Sequence, residues 1–226
     1  MKDNKSIVFD KNAEPIHRLV ALFEILRSEN GCAWDKKQTH KSLIPYLIEE
    51  SYEVIEAIEN EDYSELKEEL GDLVCQAVFH AQLAKERGDF ELNDSITHIV
   101  EKLIRRHPHV FEDQKELDPQ QVRDQWEKIK VDSGEKKSVL SGIPKSMPAL
   151  TLAFRIGEKA GGIGFDWEKP EDVLSKIEEE LLEVKEEIIS ENVDKLEEEV
   201  GDLLFAVASL ARKLDIEPET ALKVAL

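Results

Sequence analysis

Only two cysteines occur in the 226 residues, Cys32 and Cys75, in unlike surroundings and without any pair of CxxC units. This excludes a disulfide-stapled scaffold and a thiolate zinc site, and it fits a reducing compartment. Long apolar runs are missing as well. The longest, from Leu203 to Ala211, is far too short to cross a bilayer, and the opening MKDNKSIVFDKNAEP lacks the apolar core of a secretory signal. A soluble, cytoplasmic protein is expected. Positive charge is scarce, with 30 lysines and arginines against 50 acids and a formal net charge of −20. Such a chain repels a nucleic-acid backbone or an anionic membrane, so neither is expected as a partner, and a phosphorylated ligand has to be met through cations. Strand-like alternation is absent throughout, which points to an all-α fold.

Helical periodicity is plentiful. Ile16, Leu19, Val20, Phe23 and Leu26 recur at helical intervals over 14–29, with Pro15 early and Asn30-Gly31 at the end. Further helices are predicted over 40–60, 65–87 (stopped by Gly88), 92–106 (before Pro108) and 148–159, and Pro170 opens another. Between Val131 and Pro148 the periodicity lapses among Ser133-Gly134, Ser141-Gly142, Pro144 and Pro148, so this stretch reads as a linker. The expected division is a first domain over 1–130, the linker over 131–148 and a second, related domain over 149–226, each a four-helix-bundle-like arrangement.

The relation between the two is explicit. Glu49-Glu50-Ser51-Tyr52-Glu53 followed by Glu69-Leu70-Gly71-Asp72 recurs as Glu179-Glu180-Leu181-Leu182-Glu183 followed by Glu199-Val200-Gly201-Asp202. Residues 48–81 align on 178–211 without a gap and with 14 identities, all five acids and the glycine among them, so the chain carries a duplication. Acids on a helix usually face water. Here Glu50 and Glu53 share one helix face, as do Glu69 and Asp72, so that two neighbouring helices can aim four carboxylates at one point. The segments after Asp72 and Asp202 are apolar around most of their circumference. That suggests helices buried on all sides and acids that are not freely solvated, whose crowding a metal ion would relieve. Gly71 and Gly201, each costing about 1 kcal/mol inside a helix, suggest the close approach of a neighbouring helix. Ligands that are all oxygen call for a hard cation, Mg²⁺ first and Mn²⁺ as a substitute, which keeps waters and shares its shell with phosphates.

The complementary charges are Lys102, Arg105, Arg106, His107 and His109, then Trp126, Lys128 and Lys130. They could take phosphate oxygens and stack on a base, or simply offset a helix dipole. Trp34-Asp35 and Asp166-Trp167 lie in loops ahead of the two acid helices, where packing and base stacking are both open. Lys176 and Lys195 sit one turn before Glu180 and Glu199, placed for ordinary helix pairing or for a phosphate.

In these residues the chain resembles the MazG family of nucleoside triphosphate pyrophosphohydrolases. The resemblance also rests on Gly31-Cys32-Ala33-Trp34-Asp35, Arg105-Arg106-His107-Pro108-His109-Val110-Phe111, Ile143-Pro144-Lys145-Ser146-Met147-Pro148-Ala149-Leu150 and Gly164-Phe165-Asp166-Trp167. It implies helical domains completed by homodimerisation, and Mg²⁺-dependent hydrolysis of NTPs or dNTPs to the monophosphate and pyrophosphate. It also implies that Glu180, Glu183, Glu199 and Asp202 bind metal, which the repeat extends to Glu50, Glu53, Glu69 and Asp72. Lys176, Glu179, Lys195, Leu196, Glu197 and Glu198 would then lie along the nucleotide, with Trp34, Lys102, Arg105, Arg106, Trp126 and Lys130 as further nucleotide contacts around the first set. The repeat's counterparts of Lys102, Arg105, Arg106 and Trp126 would fall beyond Leu226, so the chain is expected to be either a fragment or impaired in its second site. Glu49 or Glu179 is placed to take a proton from the attacking water.

Two rivals stand beside this reading. A di-iron carboxylate bundle needs two Glu-x-x-His units, and only Glu14-Pro15-Ile16-His17 has that spacing. The other is a non-enzymatic acidic helical scaffold or regulatory protein, whose carboxylates serve solubility and helix pairing.

Overall fold

The computed structural model describes residues 4–112, 116–119, 121–122, 125–126, 129 and 140–226. Among the described residues there is no strand, and the all-α expectation holds. The chain divides into two compact units, Met1–Arg105 and Arg106–Leu226. Residues 140–148 of the expected linker are turn and irregular backbone, while Val131 to Val139 lie outside the described residues.

In the first unit α1 (Asn4–Phe9) and α2 (Pro15–Leu26) are followed by a tight return of the chain. Cys32 N–H donates to the carbonyl of Leu26, and a side chain at Gly31 would collide with the carbonyl oxygens of Ile25 and Leu26. Glycine is therefore required there for want of space. A single 3-10 turn, Asp35–Lys37, leads to α3 (Ile44–Glu59) and α4 (Tyr63–Arg87), which pack as a hairpin. Asp62 caps α4, accepting from the N–H groups of Ser64 and Glu65 at 2.9 and 3.1 Å, and Gly88 ends it in the left-handed conformation, φ 77°. Phe23, Leu43, Val78, Phe79 and Leu83 form the core where α2 meets α4, with the rings of Phe23 and Phe79 at 4.6 Å. α5 (Leu92–Arg106) packs Leu92 on this core and leaves Ile96, Ile99, Val100, Leu103 and Ile104 exposed. The short α6 (Pro108–Phe111) follows.

The second unit repeats the scheme with α7 (Ala149–Gly161), α8 (Pro170–Ser190), α9 (Val193–Lys213) and α10 (Pro218–Ala225). α8 and α9 form the hairpin, and α7 and α10 pack on it. Proline opens α8 and α10, and Glu217 caps α10 through the Thr220 N–H at 2.6 Å. Both hairpin turns place a glutamate at positive φ, Glu61 at 54° and Glu191 at 58°, at equivalent positions of the repeat.

Two expectations are corrected here. The helices after Asp72 and Asp202 are not buried on all sides: Val74 is 47% exposed and Leu204 52%, because each hairpin is covered on one side only within its own unit. Nor, among the described residues, does a neighbouring helix approach Gly71 or Gly201, since a β-carbon at either would meet nothing within 4 Å.

Candidate metal and nucleotide site

α3 and α4 bring the first acid set together from facing sides of the hairpin. Carboxylate oxygens of Glu50, Glu69 and Asp72 lie within 4.8 Å of one another. Glu53 joins them: burial pushes its carboxyl above the usual range, with the charges of Glu69, Glu50 and Glu49 and a hydrogen bond with Glu50 adding to the effect. Glu69 is raised in the same way, by burial first and then by Asp72 and Glu50. Gln76, one turn beyond Asp72, donates its side-chain amide to Glu50 Oε1 at 3.3 Å. Trp34 stands edge-on to Tyr46 at 5.8 Å, and Tyr46 is one turn before Glu50.

α8 and α9 repeat the arrangement. Oxygens of Glu180, Glu199 and Asp202 again fall within 4.8 Å. Glu183 is raised by burial, then by a hydrogen bond and the charge of Glu180 and by Glu199, while Lys176 pulls the other way. Glu180 is only 4% exposed, and its Oε2 is buried with no hydrogen-bond partner. Lys176 Nζ reaches both Glu179 and Glu180 at 2.7 Å, and these contacts hold its ammonium well above the usual range. Lys195 pairs with Glu187 at 3.7 Å across the hairpin, not with Glu199 one turn on. Glu179, Glu197 and Glu198 face solvent, and Leu196 is half-buried. Asp72 and Asp202 are exposed at the rim, contrary to the expectation that they would be shielded; the uncovered hairpin face is the reason.

These sets fit a hard dication. Each is all oxygen, each carries carboxyls whose mutual repulsion disfavours ionisation, and the second aims a buried, unpartnered oxygen inward. Lys102 and Arg105 lie along α5, outside the two helices that carry the first set. In the second unit Trp126 packs edge-on against His107 at 5.1 Å, and His107 lies next to Arg106. Lys128 and Lys130 lie outside the described residues.

The description "MazG nucleotide pyrophosphohydrolase domain" matches residues 38–111 and again 168–225, the stretches that carry the two acid hairpins. The chain belongs to the MazG family. A MazG relative from Thermotoga maritima, named nucleoside triphosphate pyrophosphohydrolase/pyrophosphatase MazG, is 54% identical over 92% of this chain and 79% of its own length. The nucleoside triphosphate pyrophosphohydrolase of Escherichia coli K12 is 47% identical over 93% of this chain and 82% of its own. A solved MazG-related protein from Thermotoga maritima aligns at 31% identity over 50% of this chain and 97% of that one, with a TM-score of 0.44, a likeness too slight to bear on the fold.

Some features of this MazG chain escaped sequence reasoning. Gln76 behind Glu50 is one. The other is a half-buried ion cluster in which Arg212 grips Asp166 with two hydrogen bonds, at 3.1 and 2.5 Å, and Lys213 adds a third contact at 2.7 Å. Burial works against the Asp166 carboxylate, but Arg212 and Lys213 outweigh it and hold the carboxyl below its usual value. A signal was present in Gly157, inside α7, whose missing side chain leaves room for the Arg212 stem.

Proposed function

We propose that this chain is a Mg²⁺-dependent nucleoside triphosphate pyrophosphohydrolase, cleaving NTPs or dNTPs between the α and β phosphates to the monophosphate and pyrophosphate. The reading is carried by the convergence of Glu180, Glu199 and Asp202 on one point, with Glu183 beside them and Glu180 Oε2 buried and unpartnered. Glu180, Glu183, Glu199 and Asp202 would hold the cation in the second unit, and Glu50, Glu53, Glu69 and Asp72 in the first. When bound, the cation offsets the charge of the triphosphate and polarises its oxygens; Mn²⁺ can take its place.

The rest falls to side chains. The carboxylates would fix where the cation, and with it the negative ligand, is held on an otherwise repelling surface, a positioning role that supplies much of the acceleration in phosphoryl transfer. Lys176, already at the site's edge, exchanges Glu179 for a phosphate oxygen and so neutralises charge as the leaving group departs. Glu179, released and solvent-facing, accepts the proton of the water that attacks the α phosphorus; the bond to the bridging oxygen breaks, and pyrophosphate carries that oxygen away. Glu49 stands at the same place in the first unit. Lys195, Leu196, Glu197 and Glu198 open α9 along the nucleotide's path, and Trp34, Lys102 and Arg105 serve the first set. The exposed apolar faces of α5 and of the hairpins are covered in a homodimer, and the protein works in the cytoplasm.

The test is to supply ATP with Mg²⁺ and identify the products. AMP and pyrophosphate are expected. ADP and orthophosphate would refute the cleavage position, and no turnover with either half intact would refute the hydrolase.

A further inference from the structure

Gln76 stands beside the first acid set, on α4 one turn beyond Asp72, and its residue is only 9% exposed. Its amide nitrogen donates to Glu50 Oε1 at 3.3 Å, while its own oxygen is buried and has no donor. The amide head is planar, so that free acceptor lies next to the nitrogen that touches Glu50. Turning the head over would set oxygen against carboxylate oxygen, so Glu50 fixes which way it points. We propose that Gln76 is a positioning residue for a cation at Glu50, Glu53, Glu69 and Asp72: its nitrogen holds Glu50, its oxygen receives a water of the cation's hydration shell, and this set loads the cation without a nucleotide.

The repeats differ at the two places that decide this. Ala206 stands where the first unit has Gln76, and Lys176 stands where it has Tyr46. In the second unit the ammonium of Lys176 lies 2.7 Å from Glu180, the counterpart of Glu50, so a dication entering there meets a positive charge already in place. The first set has no such rival. Tyr46 packs edge-on against Trp34 at 5.8 Å, and among the described residues no lysine or arginine is paired with Glu50, Glu53, Glu69 or Asp72. Gln76 is neutral, so it steadies Glu50 without cancelling the charge that draws a cation in.

The chemistry of a hard cation supplies the missing donor. Mg²⁺ dehydrates reluctantly and keeps several waters when carboxylates bind it, and each of those waters is a hydrogen-bond donor beside the carboxylates. A buried amide oxygen without a partner costs the fold until a donor arrives. At the first set, a cation's water ends that cost. Partners standing behind a metal's ligands commonly govern affinity by about ten- to a hundredfold, because they hold the ligands where the metal needs them. Removing the amide takes away both contacts at once: Glu50 loses its donor and the water loses its acceptor. The inference rests on the first acid set being a cation site, and it adds a residue that sets that site's affinity and the statement that the site fills from free cation.

The experiment uses the full chain carrying Glu183→Gln and Asp202→Asn, so that the second set no longer competes, and follows Mn²⁺ binding without nucleotide by electron paramagnetic resonance. Gln76→Met, close in length but without polar groups, is then added. Gln76→Ala, which gives position 76 the residue of the second unit, keeps the test decisive should Gln76→Met fail to fold. Circular dichroism and urea unfolding without metal check each fold. Saturable Mn²⁺ binding is expected before the substitution, and its Kd is expected to rise at least about tenfold after it. A smaller rise in a folded variant overturns the role of Gln76, and a merely structural role shows itself as lost urea stability with the Kd unmoved. No Mn²⁺ binding without nucleotide, in a parent chain that releases pyrophosphate from ATP, overturns the inference and leaves the hydrolase standing. Mn²⁺ binding that survives Glu50→Gln removes the first acid set as the cation site, and with it the reading beneath the inference.

Discussion

Gly157→Ala sets two known quantities against each other. Alanine is favoured over glycine inside a helix by about 1 kcal/mol, and on that ground the substitution should stabilise α7. Its β-carbon, however, would stand 2.5 Å from Arg212 Nε and 3.2 Å from Arg212 Cδ, so the arginine has to leave its place. Moving it gives up the two hydrogen bonds to Asp166, in a cluster where the Arg212 side chain is 11% exposed and Asp166 19%. A hydrogen bond to a charged group contributes about 1.5–3 kcal/mol. Lys213 remains on Asp166 at 2.7 Å and recovers part of the loss. The net expectation is a destabilisation of about 1–2 kcal/mol at neutral pH, read from urea unfolding by far-UV circular dichroism. The carboxyl of Asp166 is held below its usual value, so its pairing contributes above the unfolded pKa, near 3.9, and is lost as pH falls through the lower folded value. The deficit of Gly157→Ala should therefore narrow below about pH 4. A Gly157→Ala protein as stable as the parent at neutral pH would refute the argument, because the guanidinium would then have swung aside without cost.

Other outcomes are expected from the acid sets and the uncovered faces. Glu183→Gln and Glu53→Gln, assayed separately for pyrophosphate release, should lose about a hundredfold or more in whichever unit works, and retained activity in both would remove the carboxylates from the reaction. Mg²⁺ at about a hundred times its dissociation constant should stabilise the fold by about 2.7 kcal/mol, a rise in Tm of about 5–10 °C, and that rise should vanish when Glu50→Gln and Glu180→Gln are combined. Ile99→Asp on the exposed face of α5 should convert a dimer to a monomer in light scattering; a protein that is monomeric before the substitution sinks the homodimer.

The four principal hairpin helices were readable because each is long, periodic and written twice. α1 and α10 were missed, being too short for a period to show, although Pro218 after the capping Glu217 was an opening signal for α10. The meeting of Glu50 with Glu69 and of Glu180 with Glu199 followed from helix geometry and the duplicated spacing. The pairing of Asp166 with Arg212 did not, since it joins residues 46 apart and is decided by the space left at Gly157. Gly71 and Gly201 misled because a glycine reports missing bulk without saying whether anything fills it.

The left-handed glutamates of the two hairpin turns, Glu61 and Glu191, have a bearing on affinity. A non-glycine residue held in that conformation costs about 1–2 kcal/mol, and both copies of the repeat tolerate it at the same joint. The strain is met when the chain folds, long before any ligand arrives, so the carboxylates stand assembled in advance and little of a ligand's binding energy is spent in gathering them. Relaxing the joints with glycine would make a sturdier fold and, by loosening the jaws, a poorer grip.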